Sequence, residues 1–265
     1  MLMKRTITAI MLISAVLLLL FHASAPVFTI ACRVLMFALL WECMGVMGVH
    51  RLWQRLGWLL LGALLLYVFS HKVPMIFWWC SLGLWGMAAV AISLFPRGQM
   101  IWQHSWFSMG IALWMMLAAC LGFIQLRHMQ QGQWHILTLL ILVWSVDIAA
   151  YFFGRFLGKR RFLPAVSPNK TWAGFFGALF AVMAVGLVLQ HQLHLLPHYD
   201  AVLFLSAGIW LATIVGDFFE SMLKRCYHVK DSGHFLPGHG GLWDRLDGLL
   251  AAVPIYVVVA RFMLQ

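Results

Sequence analysis

The sequence predicts an all-α, polytopic integral membrane protein with about nine transmembrane helices. Of its 265 residues, 63% are hydrophobic and only 10% are charged, and the mean hydropathy is +0.90. That composition excludes an ordinary soluble domain. Apolar runs that are long enough to cross roughly 30 Å of hydrocarbon as helices recur along the chain. We place them at about 6–22, 27–48, 56–70, 73–95, 105–124, 134–153, 172–190, 201–220 and 247–263.

Two features leave the number of spans open. Only residues 70–72 separate the third and fourth runs, so eight or ten spans remain alternatives. The first run follows Lys4 and Arg5 and precedes HASA at residues 22–25, which resembles a signal-peptidase site. We expect this first segment to be retained as a span.

The distribution of Lys and Arg predicts an N-in, C-out orientation. With the N-terminus inside, the opposite side receives only Lys72, Arg127 and Arg261. The cytoplasmic side receives Lys4, Arg5, Arg51, Arg55, Arg97, Arg155, Lys159, Arg160, Arg161, Lys170, Lys224, Arg225, Lys230 and Arg245. This asymmetry accounts for the net charge of +10, which favours anionic lipid headgroups and requires no nucleic-acid partner.

The chain divides into an N-terminal and a C-terminal region of different character. Residues 1–130 consist of apolar spans with short polar connections, which we interpret as a scaffold. A homodimer contact through these spans is an open alternative. Their only acid is Glu42, in a span that also holds Arg33; a satisfied polar group is favoured over a substrate contact. We assign residues 131–265 to a catalytic region with cytoplasmic loops at 154–171 and 221–246.

Most of the acidic charge lies between residues 217 and 247, which hold five of the eight acids: Asp217, Glu220, Asp231, Asp244 and Asp247. Ionised groups near a bilayer persist mainly where they pair, bind ions or contact substrate. Asp217, Glu220, Ser221 and Lys224 are spaced i, i+3, i+4, i+7, which places them on one helical face. Asp244 and Asp247 share a face in the same way. Paired carboxylates of this kind suit Mg²⁺.

Two further segments supply the other groups that such a site needs. Asp147 lies deep in the sixth span, where a carboxylate is a functional candidate by default. The loop that follows ends in SPNKTW at residues 167–172, which favours a turn that holds Lys170 close to the membrane surface. Gly240 and Gly241 allow close backbone approach to an anion. Carboxylates, cations and glycines together indicate phosphoryl or nucleotidyl transfer, although the sequence contains neither GxxxxGK[ST] nor GxGxxG.

Residues 221–247 carry S-x-x-K-R-x4-K-D-x-G-x2-L-P-x-H-G-G-x2-D-R-x-D, which resembles the signature of the phosphatidate cytidylyltransferase (CDP-diglyceride synthase) family. Gly216-Asp217, the SPNKTW string and Asp147 extend the resemblance upstream, so that it covers roughly the C-terminal half. The resemblance implies a multi-pass enzyme of the bacterial inner membrane whose active site faces the cytoplasm. Such an enzyme condenses CTP with phosphatidic acid to CDP-diacylglycerol and pyrophosphate, with Mg²⁺ as cofactor and K⁺ as an optional second cation.

Carried over to this chain, the resemblance assigns three sets of site residues. The metal ligands are Asp147, Asp217, Asp244 and Asp247. The catalytic residues are Lys230, Asp231, His239 and Arg245. The residues that bind substrate or phosphate are Ser167, Asn169, Lys170, Ser221, Lys224, Arg225, Gly240 and Gly241.

Three departures from the family pattern keep alternatives open. Ala173 stands where relatives usually carry Glu or Gln, Ala165 where they often carry Lys, and Gly248 where they usually carry Ser. A paralogous nucleotidyltransferase that uses another lipid phosphate or nucleotide is therefore the main alternative. A transporter of an anionic solute is a weaker one, because the charge concentrates at one face and no repeat pairs the two halves.

Overall fold

Each of the nine predicted apolar runs coincides with a helix, since a backbone that crosses hydrocarbon must satisfy its own N–H and C=O groups. The fold is taken from a computed structural model, which describes residues 2–233 and 240–263, with side chains from residue 10 onward. Within these residues there are ten helices and no β-strand. They are α1 (Leu2–His22), α2 (Ala25–Val46), α3 (Leu52–Val68), α4 (Met75–Leu94), α5 (Gln99–Trp102), α6 (Ser105–Arg127), α7 (Gly132–Leu157), α8 (Trp172–Leu193), α9 (Tyr199–Cys226) and α10 (Trp243–Met263).

The prediction of an all-α, multi-pass membrane protein is confirmed. Seven described helices are long and apolar enough to cross a bilayer, namely α2, α4 and α6 to α10. Of the other two predicted spans, α3 has 17 residues, and Ile10–His22 of α1 is a shorter apolar helix. The count of nine spans and the N-in, C-out orientation stay predictions.

The helices that carry the acidic residues extend beyond the predicted apolar runs. Helix α9 continues to Cys226 instead of ending near residue 220, and α10 begins at Trp243 instead of near residue 247. Polar side chains do not interrupt a helix when they pair along it, as Lys224 does with Glu220 four residues earlier. The short helix α5 was not predicted, because four residues are too few for a periodic pattern.

Helix α10 lies at the centre of the bundle, where it packs against α2, α4, α6, α7 and α9. Nearly every residue from Gly248 to Ala260 is buried. Helix α8 is peripheral by contrast and exposes Phe180 and Val188, as a lipid-facing helix does. The acidic first turn of α10 therefore leads directly into the packed centre of the bundle.

Helices of the two predicted regions pack directly against each other. Helix α6 contacts α10, and α4 contacts α9. A boundary near residue 130 thus falls in the turn between α6 and α7, but packing contacts cross it. The functional division into scaffold and catalytic region stays a prediction.

Candidate active site

A cavity of about 550 Å³ lies between α7, α8, α9 and the loop that joins α7 to α8. Its polar lining includes Asp147 of α7, Ser167, Asn169 and Lys170 of the loop, and Asp217 of α9. Apolar side chains line much of the remaining wall, together with Arg155 and Thr213. The fold thus brings together five of the residues that the sequence predicted for the site, although they come from three separate segments.

The 158–171 loop closes on itself, and this fixes the position of Lys170. The Phe162 N–H donates to the Lys170 carbonyl at 2.7 Å, and the Trp172 N–H donates to the Arg160 carbonyl at 3.1 Å. The Phe162 ring packs edge-on against Trp172 and against Phe218 of α9. These contacts hold the end of the loop against α9.

The Lys170 ammonium faces the carboxylates of the cavity. Its Nζ contacts Asp217 Oδ2 and lies 4.6 Å from the centre of the Phe218 ring, within cation–π range. Partial burial lowers the pKa of Lys170 to about 8, although the charges of Asp247 and Asp147 raise it. Because pH 7 is below this value, the side chain is mainly charged at neutral pH and is able to bind phosphate oxygens.

Three carboxylates converge beside this cavity. Asp217, Glu220 and Asp247 each offer an oxygen within 4.8 Å of the other two. Helices α9 and α10 approach closely here because residue 216 is glycine: a Cβ at Gly216 would lie 2.3 Å from the Asp247 carbonyl oxygen. Three carboxylates this close repel one another unless they share protons or a cation. The cluster is therefore a candidate metal centre.

Asp244 lies outside that cluster but is linked to its member Glu220 through Lys224. Its Oδ1 accepts a hydrogen bond from Lys224 Nζ at 2.5 Å, and its Oδ2 accepts from the backbone N–H groups of Ser232 and Gly241. Lys224 Nζ also lies 3.1 Å from Glu220 Oε1. Of the four predicted metal ligands, the structure groups Asp217 and Asp247 with Glu220 instead of Asp244, and it places Asp147 in the wall of the cavity.

The Lys224 network yields a prediction about stability. Lys224→Met should lower the free energy of unfolding by roughly 3–5 kcal/mol, because the buried Glu220 and the part-buried Asp244 would be left without their cation. Thermal unfolding of the purified protein in detergent measures this. Lys159→Met, at an exposed position of the 158–171 loop, is the control and should unfold like the wild type. Equal melting temperatures for the wild type and Lys224→Met would contradict the prediction.

Several predicted site residues do not line the cavity. Four of them are exposed at the surface near the ends of α9 and α10, namely Arg225, Lys230, Asp231 and Arg245. His239 lies outside the described residues. Ser221 is half-buried on α9, and Gly240 adopts a left-handed conformation with φ 85°. The Gly241 N–H already donates to Asp244. The roles assigned to these residues stay predictions.

Two acidic residues that the sequence did not assign to the site, Glu220 and Glu42, have central contacts in the structure. Glu220 lies on the same helical face as Asp217, so its i, i+3 spacing was the available signal. Glu42 is 5% exposed and accepts hydrogen bonds from Ser232, Leu242 and the first residue of α10, not from Arg33. Its signal was its isolation, as the only acid in the first 130 residues.

One of the three departures from the family pattern, Gly248 in place of Ser, has a steric explanation. A Cβ at Gly248 would lie 2.8 Å from Thr213 Cγ2, so Thr213 fills the space that a serine would occupy. Thr213 itself lines the cavity, and its buried hydroxyl makes no hydrogen bond within the described residues. Nothing in the structure explains Ala165 or Ala173.

A helical membrane protein that gathers carboxylates and a lysine around a part-polar cavity has the groups of a membrane-embedded phosphoryl- or nucleotidyltransferase. A sequence model of the cytidylyltransferase family matches residues 3–263. A Pseudomonas aeruginosa protein named phosphatidate cytidylyltransferase is 33% identical over 262 residues, which cover 98% of this chain and 97% of that protein. The chain belongs to the cytidylyltransferase family, as the motif between residues 221 and 247 indicated.

Two further relatives carry the same name. The Haemophilus influenzae protein is 30% identical over 298 aligned residues, which cover both chains completely. The Bacillus subtilis protein is 40% identical over 142 residues, or 53% of each chain. The matches to the Pseudomonas aeruginosa and Haemophilus influenzae proteins extend over the N-terminal spans, which the motif alone did not cover.

Proposed function

We propose that this protein transfers CMP from CTP to phosphatidic acid, which gives CDP-diacylglycerol and pyrophosphate. The observation that carries the proposal is the arrangement of Lys170 and Asp147 around a membrane-embedded cavity beside the Asp217–Glu220–Asp247 cluster. Family membership and the names of the relatives support it. A cavity whose lining is mostly apolar but includes several charged side chains suits a lipid phosphate, whose headgroup and acyl chains need different surroundings.

The residues present fit Mg²⁺. Asp217, Glu220 and Asp247 would hold the ion, and Asp147, which lines the same cavity, is a candidate for a second cation such as K⁺. Glu220 is buried and pairs with Lys224 Nζ at 3.1 Å, so the lysine and the ion would share this carboxylate. When bound, the ion would neutralise phosphate charge and orient the triphosphate for in-line displacement.

The proposed reaction needs little proton transfer. The phosphate monoester of phosphatidic acid is already anionic at neutral pH, and one of its oxygens attacks the α-phosphorus of CTP. A new phosphorus–oxygen bond forms there, while the bond between the α-phosphorus and the bridging oxygen breaks and pyrophosphate leaves. Lys170 would bind phosphate oxygens, because its ammonium lines the cavity beside Asp217. Ser167 and Asn169 would orient the headgroup.

An assay of membranes from cells that express this chain tests the proposal. Incubation with CTP and phosphatidic acid should give CDP-lipid and pyrophosphate in equal amounts, and no product should form without either substrate. A panel of lipid phosphates against CTP, dCTP and other nucleotides distinguishes the paralogue alternative. If another pair reacts faster, the substrate assignment is wrong. If radiolabelled anions accumulate in vesicles without covalent product, the protein is a transporter.

We further propose that the active site faces the cytoplasm at the bacterial inner membrane, with the N-terminus inside. In a cysteine-free background, Lys159→Cys in the 158–171 loop should react with an impermeant maleimide only after the cells are opened. Lys72→Cys, between α3 and α4, should react in intact cells. The native Cys226 is unsuitable as a probe, because it is 1% exposed. The reverse labelling pattern would overturn the orientation.

A further inference from the structure

Glu42 places a buried carboxylate from α2 directly beneath the segment that leads into α10. Its Oε1 accepts hydrogen bonds from Ser232 Oγ at 2.6 Å and from the Trp243 N–H at 2.9 Å, and its Oε2 accepts from the Leu242 N–H at 2.8 Å. The side chain is 5% exposed. Both carboxylate oxygens therefore accept hydrogen bonds from the segment that precedes and begins α10, about two hundred residues away in the sequence.

Two of these hydrogen bonds come from the N-terminus of α10, since Trp243 is its first residue and Leu242 directly precedes it. The first N–H groups of a helix have no partners within the helix, and the helix dipole favours negative charge there. Glu42 supplies both the acceptors and the charge from another helix. Such an arrangement offsets the cost of burying a carboxylate in a membrane protein.

Ser232 and Asp244 extend this contact into a connected network. Ser232 Oγ donates to Glu42 and accepts from the Asp244 N–H at 3.4 Å, while Asp244 Oδ2 accepts from the Ser232 N–H at 3.2 Å. Residue 241 has to be glycine for this approach, because a Cβ there would lie 1.8 Å from Ser232 Oγ and 2.5 Å from Glu42 Oε1. The Gly241 backbone thus serves the packing of Glu42 and Asp244.

The first turn of α10 that Glu42 holds leads directly to Asp247. Asp247 comes four residues after Trp243, on the turn that faces Asp217 and Glu220 of α9. We infer that Glu42 is a positioning residue of the active site: by fixing the start of α10, it sets where Asp247 lies against Asp217 and Glu220. The N-terminal region then contributes to catalysis and is more than a scaffold. This inference rests on the proposed function.

The experiment compares three variants of the full-length purified protein. Glu42→Gln keeps the volume but replaces one acceptor with a donor that faces an N–H group, and Ser232→Ala removes one hydroxyl from the same network. Gln190→Ala is the matched control, since buried Gln190 bonds both the carbonyl and the N–H of Leu196 at the far end of α8. Two quantities are measured: kcat with KM for CTP, and hydrogen exchange at the N–H groups of residues 241–244.

We expect kcat of Glu42→Gln to fall by about 10- to 100-fold, because displacement of a catalytic group by about 1 Å costs up to that much. Exchange at residues 241–244 should rise in the same variant, and Ser232→Ala should change both quantities in the same direction but less. Gln190→Ala should lower thermal stability with kcat within about twofold of the wild type. Wild-type kcat in Glu42→Gln, or an equal fall in Gln190→Ala, would overturn the inference.

The two readouts separate this inference from the proposed function. If the wild type makes no CDP-lipid, the proposed function fails, and the exchange measurement still tests whether Glu42 holds the start of α10. Unchanged exchange in Glu42→Gln would refute the contact itself. If Glu42→Gln does not fold, Ser232→Ala takes its place, and unaltered kcat and exchange in that variant would count against the inference.

Discussion

Asp247→Asn is expected to abolish Mg²⁺-dependent turnover, with a loss of kcat of at least about 10³-fold, while expression and membrane insertion stay at wild-type levels. Asp247 lies within the carboxylate cluster that it forms with Asp217 and Glu220. Asparagine keeps the volume but removes the charge that would hold the ion. A metal ion contributes several kcal/mol to transition-state stabilisation, and about 4 kcal/mol corresponds to a factor of roughly 10³ in rate. Activity assays across a Mg²⁺ titration measure the effect.

Asp200→Asn is the matched control for this experiment. Asp200 lies in the first turn of α9, at the end opposite to Asp217, and its side chain bonds only the adjacent Ala201 N–H within the described residues. It should keep wild-type turnover. If Asp247→Asn is as active as Asp200→Asn over the whole titration, Asp247 is not a metal ligand.

Lys170→Ala is expected to lower kcat/KM by roughly 10- to 150-fold without loss of expression. A hydrogen bond between a charged donor and a phosphate contributes on the order of 1.5–3 kcal/mol, and that free energy converts to this range of rates. The Lys170 ammonium contacts Asp217 in the wall of the cavity, where the phosphates of the substrate would lie. Steady-state kinetics with CTP and phosphatidic acid varied in turn provide the measurement.

Arg160→Ala separates a role in the site from a role in topology. Arg160 belongs to the same basic loop, but its side chain is exposed and does not line the cavity. Its loss should change kcat/KM by less than about twofold. Equal losses in both variants would mean that the loop acts only through its charge on the membrane orientation. Full activity of Lys170→Ala would remove that lysine from the site.

The sequence predicted the apolar helices and the concentration of acidic residues between 217 and 247, because hydropathy and charge spacing are local properties of the chain. Hydropathy over about twenty residues is sufficient to indicate a helix that crosses a bilayer. The i, i+3, i+4, i+7 spacing on α9 is sufficient by itself to place Asp217, Glu220 and Lys224 on one helical face. Asp147 was also predicted for the site, because a carboxylate within hydrocarbon is a functional candidate by default, and Lys170 was predicted because its SPNKTW string resembles the family pattern.

Only the tertiary structure decided which carboxylates come together in the cluster. Spacing made Asp244 and Asp247 look equivalent, yet Lys224 and two backbone N–H groups engage Asp244, while Asp247 faces α9. That difference depends on how α9 and α10 approach each other at Gly216, a contact between residues about thirty positions apart.

The sequence by itself determined that this is a helical membrane protein of the cytidylyltransferase family with an acidic site near its C-terminal end. Hydropathy, the Lys and Arg distribution and the motif are read along the chain, so they need no knowledge of packing. The partners of Glu42 were decided by the fold alone, because the hydrogen-bonding groups that it meets are backbone N–H groups and a serine in a distant loop. Backbone groups are the same at every residue, so no pattern of side chains marks which of them a buried carboxylate will bind.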